Sequence, residues 1–402
     1  MTFTQQDILG AINMVRKNIP REEVIALLQR LIREDTTNPP GNEERAGRVL
    51  AGWMQKWGIE TTLDFIEPGR PNVTGVLKGY GNRPSLLFNG HLDTVPAGQV
   101  PWQYDPFAGQ IVGNRVYGRG SSDMKGGLAA IAGGVVALSL LKTSLAGDVM
   151  VLATVGEEVD SLGARAFKRI GNLAKIGGLI IAEPTGLELV VAEKGALWVE
   201  LAVYGRTSHS AHPEAGINAV EHMIKLLDYL KQDSSCIKST PPLFQGPTTS
   251  LTTIHGGVKA NLIPDYCAAT IDIRTLPGQK HTEVENELRA KIDEYQSLYP
   301  GLSVKMRIVN NRPPVATGIK DELVTLSQKI GENLWARQME AKGVSYYTDA
   351  SVFVEGNNIP FIILGPGEET QAHQPDEYVV IDNVLAAAEF YAVLALLWCG
   401  RG

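Results

Sequence analysis

Apolar residues recur with helical spacing near the start of the chain. Val24 and Leu31 fall on one face of a helix predicted over residues 22–32. The Asn-Pro-Pro-Gly-Asn run that begins at Asn38 ends this pattern, because proline and glycine interrupt helices. A second helix is predicted over residues 43–57.

Two longer stretches, residues 126–141 and 384–399, are apolar almost all round. Both are shorter than the roughly 20 apolar residues that a membrane-spanning helix needs. A helix that packs against other elements on both sides has this composition. We therefore predict two buried helices and no membrane partner.

Short runs rich in β-branched or aromatic residues are predicted as strands. They cover residues 72–78, 85–88, 148–154 and 178–182. Their alternation with helices is typical of an open α/β sheet. His91, Glu157 and Glu183 follow three of these runs closely. Because sites form at the carboxyl ends of strands in such sheets, we expect these side chains to share one site.

The pattern changes near Gly195. Predicted strands and helices then follow in the order β-α-β-β-α-β, over residues 196–204, 215–233, 248–255, 265–274, 281–298 and 302–308. This order predicts a ferredoxin-like α+β domain, residues 195–311, inserted into a catalytic domain of residues 1–194 and 312–402. Residues 310–314 would form the exit linker.

Composition narrows the classes of function. The chain has 402 residues, of which 44% are hydrophobic, and a formal net charge of −7 that is spread along the sequence. This charge, without any basic stripe, argues against a nucleic-acid partner. Cys236, Cys267 and Cys399 lack disulfide-framework or zinc-site spacing, and the first residues lack the pattern of a signal peptide. A cytoplasmic location is predicted.

The His91-Leu-Asp93 segment follows a predicted strand. Side chains alternate along extended backbone, so the histidine and the acid point to the same side. A metal-ligating His91 that Asp93 orients is one arrangement this permits. An isolated motif of this kind is more often structural.

Asp123 lies in a turn rich in glycine and serine, just before the predicted helix at residue 126. Aspartate is a good helix N-cap, which is the simpler interpretation. A short carboxylate at a tight turn is also suited to bridging two cations. The sequence leaves both interpretations open at this point.

Glu157 and Glu158 are adjacent acids that follow an apolar strand. Neighbouring carboxylates repel each other unless a cation or a proton separates them. One of them could bind a metal ion while the other takes a proton from a metal-activated water. A solvated pair in a loop is the alternative.

Glu183, before Pro184, and His373, in a Gln-Ala-His-Gln-Pro run, complete a set of acids and histidines. Two cations about 3.5–4 Å apart can each bind one histidine and one carboxylate of their own, and can share a further carboxylate between them. The set therefore predicts a two-metal hydrolytic centre with Asp123 between the metals.

Several segments together carry a family resemblance that spans nearly the whole chain. They are Asn-Pro-Pro-Gly-Asn-Glu from residue 38, Gly-His-Leu-Asp-Thr-Val-Pro from 90, Gly-Arg-Gly-Ser-Ser-Asp-Met-Lys-Gly-Gly from 118, Gly-Glu-Glu from 156, Ala-Glu-Pro-Thr from 182, and Ala-His-Gln-Pro-Asp-Glu-Tyr from 372. In this order they resemble the dinuclear zinc deacylase and exopeptidase family. That family contains acetylornithine deacetylase, succinyl-diaminopimelate desuccinylase, aminoacylase and glutamate carboxypeptidase.

The resemblance implies roles for the central residues. One zinc ion would be held by His91 and Glu183, the second by Glu158 and His373, and both by the bridging Asp123. Cobalt or manganese could replace the two zinc ions. Asp93 would support His91, and Glu157 would act first as general base and later as general acid.

The resemblance extends to the inserted domain, where it implies a lid or dimerisation role. His209 would contribute to the oxyanion site, often across a dimer interface in similar enzymes, and Asn261 would contact substrate. Arg274 would bind the substrate's free α-carboxylate, because a guanidinium matches a carboxylate bidentately; a surface salt bridge is the alternative. A homodimer through residues 195–311, and domain closure over the substrate, are expected.

Three functions are compatible with these features. The first is a metal-dependent hydrolase that cleaves the amide bond of N-acyl amino acids, such as N-acetylornithine or N-succinyl-diaminopimelate. The second keeps the two-metal site but acts on dipeptides or as a glutamate-type carboxypeptidase. The third is a non-catalytic binding protein that retains the fold, although no ligand or base of the family pattern is missing. Residues 346–353 occupy the place of a substrate-pocket loop in relatives, and they leave the acyl group undecided.

Overall fold

The computed structural model describes residues 3–81, 83–171, 173–231 and 242–400. The chain divides into two compact units. The first unit comprises Met1–Val191, Ala316–Lys342 and Thr348–Gly402, and the second comprises Ala192–Val315 and Gly343–Tyr347. Cys236 lies outside the described residues, whereas Cys267 and Cys399 are buried free thiols.

Every helix predicted from the sequence forms, with ends shifted by a few residues, and further helices accompany them. In the described part of the chain they are α1 (Gln5–Arg16), α2 (Arg21–Arg33), α3 (Glu44–Lys56), α4 (Gly126–Leu141), α5 (Leu162–Ile170), α6 (Ala219–Lys231), α7 (His281–Ser297), α8 (Glu322–Trp335), α9 (Ala350–Val354) and α10 (Ile381–Cys399). The helix predicted over residues 215–233 begins later, because a 3₁₀ turn, Pro213–Ala215, precedes it, and residues 232 and 233 are outside the described part.

The strands include every run predicted from the sequence and several strands that were not predicted. They are β1 (Glu60–Glu67), β2 (Arg70–Leu77), β3 (Ser85–His91), β4 (Gln110–Val112), β5 (Arg115–Tyr117), β6 (Val149–Thr154), β7 (Ile176–Ile181), β8 (Leu189–Glu193), β9 (Gly195–Tyr204), β10 (Ser208–His209), β11 (Thr248–Gly256), β12 (Leu262–Ile263), β13 (Tyr266–Thr275), β14 (Ser303–Arg312), β15 (Val315–Ala316), β16 (Ala341–Val344), β17 (Phe361–Ile363) and β18 (Tyr378–Val380).

The first unit has an α/β fold built on a mixed sheet. Its strands lie in the order β1-β2-β6-β3-β7-β17-β8. The central strands β6, β3, β7 and β17 run parallel, whereas β1, β2 and β8 pair antiparallel to their neighbours. Every residue of β3 is buried, as expected for a strand covered on both faces. The carboxyl ends of β6, β3 and β7 therefore meet at one edge.

Two helices of the first unit are long and apolar enough to cross a membrane by length and composition alone. They are Ser121–Leu141, which includes α4, and Ile381–Cys399, with 83% and 67% of their most apolar windows buried inside the protein. Small residues bring them together: a Cβ added to Gly134 would lie only 2.8 Å from the carbonyl oxygen of Ala388. The prediction that both are buried core helices is confirmed.

The second unit is a four-stranded antiparallel sheet with two helices. The strands lie in the order β11-β13-β9-β14, and α6 and α7 pack against one face through an apolar core that includes Leu226, Ile271 and Ile292. Along the chain the order is β9-α6-β11-β13-α7-β14, which is the split βαβ pattern of ferredoxin-like domains.

The prediction of an exit linker at residues 310–314 is wrong for its first three residues. A bulge between Ile308 and Asn310 interrupts the alternation of side chains, but β14 continues beside β9 as far as Arg312. The segment Gly343–Tyr347 also joins the second unit, although the sequence pattern placed it with the catalytic domain. A hydrogen bond from the Lys194 amide to the Val344 carbonyl oxygen connects it there.

Candidate metal centre

Three neighbouring strands of the first unit deliver most of the candidate ligands. His91 is the last residue of β3, Glu157 and Glu158 follow β6, and Glu183 follows β7. Because β6 and β7 flank β3 in parallel, these side chains reach the same edge of the sheet. The expected convergence at the strand ends is therefore observed.

Asp123 comes to this edge from the turn Ser121–Lys125 that precedes α4. The helix N-cap is Lys125, so the structure excludes the alternative that Asp123 caps this helix. The turn is organised by Glu377, whose buried carboxylate accepts hydrogen bonds from the backbone amides of Gly120, Ser122 and Asp123 at 2.9, 2.8 and 3.0 Å. These bonds hold the backbone from which the Asp123 side chain projects.

Asp123 belongs to two groups of ligand atoms. On one side, its Oδ1 lies 3.1 Å from His91 Nε2, and Glu183 Oε1 lies 3.6 Å from the same nitrogen. On the other side, His373 Nε2 lies 3.4 Å from Asp123 Oδ2 and 3.3 Å from Glu158 Oε2. Within each group, one ligand atom from each of the three residues lies within 4.8 Å of the others. One carboxylate thus connects two sets of ligands.

The ring of His91 has a defined tautomer. Its Nδ1 lies 2.9 Å from the backbone carbonyl oxygen of Asp93, which can only accept, so Nδ1 donates. Nε2 then faces the carboxylates of Asp123 and Glu183 and must carry a second proton or face a cation. The neutral Nδ1–H tautomer with its Nε2 lone pair toward a metal is the usual state of a ligating histidine.

The carboxylate of Asp93 lies closer to the backbone that follows β6 than to the imidazole of His91. Its oxygens accept the backbone N–H groups of Glu157 and Glu158 at 3.1 and 3.2 Å, and the side-chain amide of Asn38 donates to it at 2.8 Å. Its Oδ1 lies 3.7 Å from His91 Nδ1. The side chain of Asp93 therefore positions Glu157 and Glu158, whereas its backbone carbonyl group positions His91.

Burial and neighbouring charges raise the pKa of most of the ionisable side chains at this edge. Burial would lower the pKa of His91, but Glu183 and Asp123 reverse the effect and hold it well above its ordinary value. Hydrogen bonds to Asp123 and Glu158 raise the pKa of His373 to about 10. Burial, reinforced by the charge of Asp123, raises the pKa of both Glu158 and Glu183. Cations that bound here would have to displace these protons.

Glu157 differs from its neighbour because it belongs to neither group of ligands. Its side chain is buried, and burial raises its pKa well above the ordinary value, with further contributions from Asp349 and Glu158. A carboxylate whose proton affinity is raised in this way is a stronger base than an exposed glutamate and is suited to accept a proton.

The donor set fits two divalent cations. Imidazole nitrogens and carboxylate oxygens are the ligands that zinc, cobalt and manganese take in proteins. Two groups with one histidine and one terminal acid each, joined by a shared aspartate, match the composition of a two-metal site. Glu158 Oε1 also fits a metal-ligand role, because it is buried and has no hydrogen-bond partner within the described ranges.

His209 and Asn261, the first two predicted site residues of the second unit, lie next to each other. His209 ends β10 and pairs with Leu262 of β12, and the carbonyl oxygen of Asn261 accepts the Ser210 amide at 3.1 Å. Both side chains belong to exposed residues.

Arg274, the third, lies on β13 of the second unit. Its guanidinium donates through Nε and Nη2 to Asp272 Oδ2, at 3.2 and 3.0 Å. Arg274 therefore forms the salt bridge that was the alternative prediction. The pair is partly buried, so it is more shielded from water than a pair on the surface.

Two residues that organise the centre were not assigned roles from the sequence. Glu377 also forms an ion pair with Arg119, 2.6 Å between Oε2 and Nη1, and burial still raises its pKa to about 7. The other is Asn38, the first residue of the helix-breaking run, whose side-chain amide donates to Asp93. Several adjacent backbone amides in the turn before α4 need a hydrogen-bond acceptor, which indicates that a residue like Glu377 must be present. The sequence could not say which acid supplies that acceptor.

Comparison with known proteins identifies the family. Residues 87–397 match the model of peptidase family M20/M25/M40. The chain belongs to this family. It is 33% identical over 365 residues to an acetylornithine deacetylase of Edwardsiella ictaluri, a match that covers 90% of this chain and 92% of the relative. It is 28% identical over 402 residues to a probable succinyl-diaminopimelate desuccinylase of Staphylococcus aureus, covering 93% and 98%.

Solved structures share the M20 fold. A Bacillus subtilis protein described as a dinuclear metal-binding peptidase of the M20 family superposes with a TM-score of 0.73 at 17% identity, covering 94% of this chain and 98% of that one. The resemblance proposed from the sequence motifs is therefore confirmed at the level of the family. This M20 chain is an enzyme, a hydrolase of the metallopeptidase and deacylase family.

Proposed function

We propose that this M20 enzyme is a dizinc deacylase that hydrolyses the amide bond of N-acyl amino acids. The observation that carries the proposal is Glu157, a buried carboxyl group with raised proton affinity that stands beside two complete ligand groups and belongs to neither. Such a group is available for proton transfer while its neighbour Glu158 serves as a ligand.

The proposed ligand assignment follows the two groups. His91 and Glu183 would hold one zinc ion, Glu158 and His373 the other, and Asp123 both. When bound, the ions would polarise the amide carbonyl and lower the pKa of the attacking water toward about 7. Cobalt or manganese offers the same chemistry with the same ligands.

Glu157 would perform the proton transfers. Its carboxylate accepts a proton from the attacking water as the C–O bond forms, and the acid so produced returns the proton to the amide nitrogen as the C–N bond breaks. Its raised pKa makes the carboxylate a stronger base for the first transfer, and the proton that it then holds is available to the leaving nitrogen. The backbone of Glu157 is held for this by its hydrogen bond to Asp93.

In the second unit, we propose that His209 stabilises the oxyanion and Asn261 contacts the substrate. The Ala211 amide donates to His209 Nδ1 at 3.1 Å, so the neutral ring carries its proton on Nε2. That N–H is a suitable donor to the negative oxygen that develops during attack, and a single such donor is typically worth about 10²–10³ in kcat. Arg274 is the proposed partner of a substrate carboxylate.

Homodimerisation through the second unit is also proposed. The support is β11, an edge strand whose nine residues are all exposed. Unpaired edge strands readily pair with another chain. A monomeric mass in sedimentation equilibrium would exclude this arrangement.

The cytoplasm remains the proposed compartment, on the cysteine usage and charge of the chain.

The acyl group is proposed to be acetyl or succinyl, the two groups that appear in the names of the relatives. Dipeptide or carboxypeptidase activity with the same centre is the second candidate. It is favoured by structural neighbours such as an M20 metallo-carboxypeptidase of Sulfolobus solfataricus, with a TM-score of 0.77 at 19% identity.

A substrate panel separates the two candidates. Purified enzyme with added Zn²⁺ or Co²⁺ is expected to hydrolyse N-acetyl or N-succinyl amino acids with a kcat/KM at least about 10-fold above that for dipeptides, since one well-placed polar contact decides tenfold or more. Release of free amine is the readout. A panel in which only dipeptides or C-terminal glutamates are cleaved would replace deacylation with the second candidate.

A further inference from the structure

The two histidines of the metal centre are held in different ways. His91 is almost fully buried, and the hydrogen bond of 2.9 Å from its Nδ1 to the Asp93 carbonyl oxygen fixes the direction of its ring. The side chain of His373 is 52% exposed. Its Nε2 faces Asp123 and Glu158, but its Nδ1 forms no hydrogen bond with any residue that the structure describes. The direction of the His373 ring therefore depends on the backbone that carries it.

The backbone around His373 has an unusual conformation. His373 and Asp376 both have a positive φ, 63° and 55°, which residues other than glycine seldom adopt. Such a conformation is unfavourable by itself and persists where the surrounding structure enforces it. Inside the loop of residues 371–376, the Gln374 amide donates to the Gln371 carbonyl oxygen at 3.3 Å, which is longer than the usual N–H···O distance. Contacts from outside the loop must therefore help to hold His373 in place.

Asp376 connects this loop to a second one. Its Oδ1 accepts hydrogen bonds from the backbone amides of Gln103 and Tyr104, at 2.8 and 3.1 Å. Bonds from amides to a carboxylate are charge-assisted, and they are stronger than bonds between neutral groups. Because Asp376 is itself one of the residues with a positive φ, these bonds act directly on the strained backbone. They fix the chain three residues beyond His373.

The second loop is anchored and provides a fixed support. The ring of Tyr104 packs against that of Tyr117 on β5, with 4.2 Å between the centroids, and Tyr117 contacts Tyr378 on β18 at 5.4 Å. Aromatic pairs of this kind are stabilising beyond the area that they bury. The indole Nε1 of Trp102 donates to the Ala97 carbonyl oxygen at 3.0 Å. The two donor amides therefore belong to a segment that is held on both sides.

The neighbouring acid, Glu377, supports a different ligand. Its carboxylate accepts the amides of the turn that carries Asp123 and forms an ion pair with Arg119 at 2.6 Å. The side chains of two adjacent acids thus hold two different parts of the metal centre. A substitution of Asp376 removes the support of the His373 loop and leaves the hydrogen bonds of the Asp123 turn in place.

We propose that Asp376 is a positioning residue for His373 and controls the affinity of the enzyme for one of its two metal ions. The inference rests on the proposed ligand assignment, in which His373 binds one zinc ion and not the other. While the loop is fastened, the imidazole already points toward the site, so binding of the ion does not have to order it. Without the two hydrogen bonds the loop relaxes toward negative φ, and the ring loses its direction toward Glu158.

Zinc titration in competition with a chromophoric chelator measures the affinities of both ions. Asp376→Ala is expected to weaken one ion about 10- to 100-fold, the usual effect of removing a residue that orients a ligand, and to leave the other within about twofold. Asp376→Gly accommodates the positive φ but supplies no acceptor, so it should weaken the same ion. Asp376→Asn keeps an acceptor oxygen and a residue type that tolerates positive φ, so it should stay within about threefold of wild type.

A double-mutant cycle determines whether Asp376 acts through His373. His373→Ala removes the imidazole and should weaken the same ion. If the aspartate serves only to position this ring, adding Asp376→Ala to His373→Ala should change the affinity further by less than about twofold. A residue that merely stabilised the fold would weaken both ions, and it would do so in both backgrounds.

Asp382→Ala is the matched control. Asp382 is an exposed aspartate in the first turn of α10, and it accepts one hydrogen bond of 2.8 Å from the side-chain amide of Asn114. Its substitution also removes a carboxylate and a bond between separate segments, but this contact does not involve the His373 loop. Both zinc affinities of the Asp382→Ala protein should therefore equal those of wild type.

Three results would overturn the inference. One is normal binding of both ions by Asp376→Ala and Asp376→Gly. Another is weakening by alanine but not by glycine, which would assign the effect to backbone strain instead of the two hydrogen bonds. The third is a further loss of affinity when Asp376→Ala is added to His373→Ala. Wild-type protein that binds fewer than two zinc ions would overturn the proposed ligand assignment as well, whereas each of the three results leaves that assignment intact.

Discussion

The Glu157→Gln enzyme is expected to bind both metal ions and to lose turnover, with kcat for N-acyl amino acid hydrolysis about 10²–10⁴-fold below wild type. Glutamine occupies nearly the same volume but neither accepts a proton from water nor returns one to the leaving nitrogen. Because Glu157 lies outside both ligand groups, its loss leaves the ligands intact. Single-turnover and steady-state rates, with metal content by mass spectrometry, provide the measurement.

Glu369→Gln is the control for this substitution. Glu369 is an exposed acid in the short 3₁₀ turn that precedes His373, so it tests whether any nearby carboxylate matters. Its kcat should stay within about twofold of wild type, as for most surface changes away from structural features. A Glu157→Gln enzyme with normal kcat and full metal content would show that another group transfers the proton.

The Asp123→Asn substitution is expected to weaken binding of both metal ions by more than about 100-fold. Loss of a partner that only orients a ligand typically costs 10- to 100-fold in metal affinity, and Asp123 is placed to contact the metals directly. Its two oxygens face His91 and His373 at 3.1 and 3.4 Å, and an amide offers one oxygen in place of two. Zinc titration with a competing chelator measures the change.

Glu377→Gln is the comparison that separates a ligand from a residue that positions one. It removes one of the acceptors that hold the Asp123 turn and leaves the Asp123 carboxylate in place. Its effect on metal affinity should therefore lie between wild type and Asp123→Asn. Loss of only one ion from Asp123→Asn, with the other bound normally, would argue against a shared carboxylate.

Three of the candidate ligands could be found from the sequence because they follow strand ends. A buried strand is recognised from its apolar run, and His91, Glu158 and Glu183 lie within a few residues of such runs. Parallel neighbours bring those ends to one edge without any further information. Asp123 was ambiguous from its own surroundings, since a turn before a helix suits a cap equally well. Only the tertiary position of His91 and His373 decides between the two interpretations.

Other features depend on contacts that local patterns do not contain. The extension of β14 to Arg312 requires a bulge, which interrupts the alternation that marks a strand. Glu377 acts on amides more than 250 positions away along the chain. The capture of Gly343–Tyr347 by the second unit follows from hydrogen bonding to Lys194.

A titration of the metal-free enzyme with Zn²⁺, with hydrolysis of N-acetyl-L-ornithine and N-succinyl-L-ornithine followed at each addition, tests the two-metal deacylase most directly. A two-metal deacylase should show no turnover before metal is added, two ions bound per chain at saturation, and release of free L-ornithine from at least one substrate. Turnover by thoroughly metal-free protein, or saturation with fewer than two ions while activity is full, would contradict it.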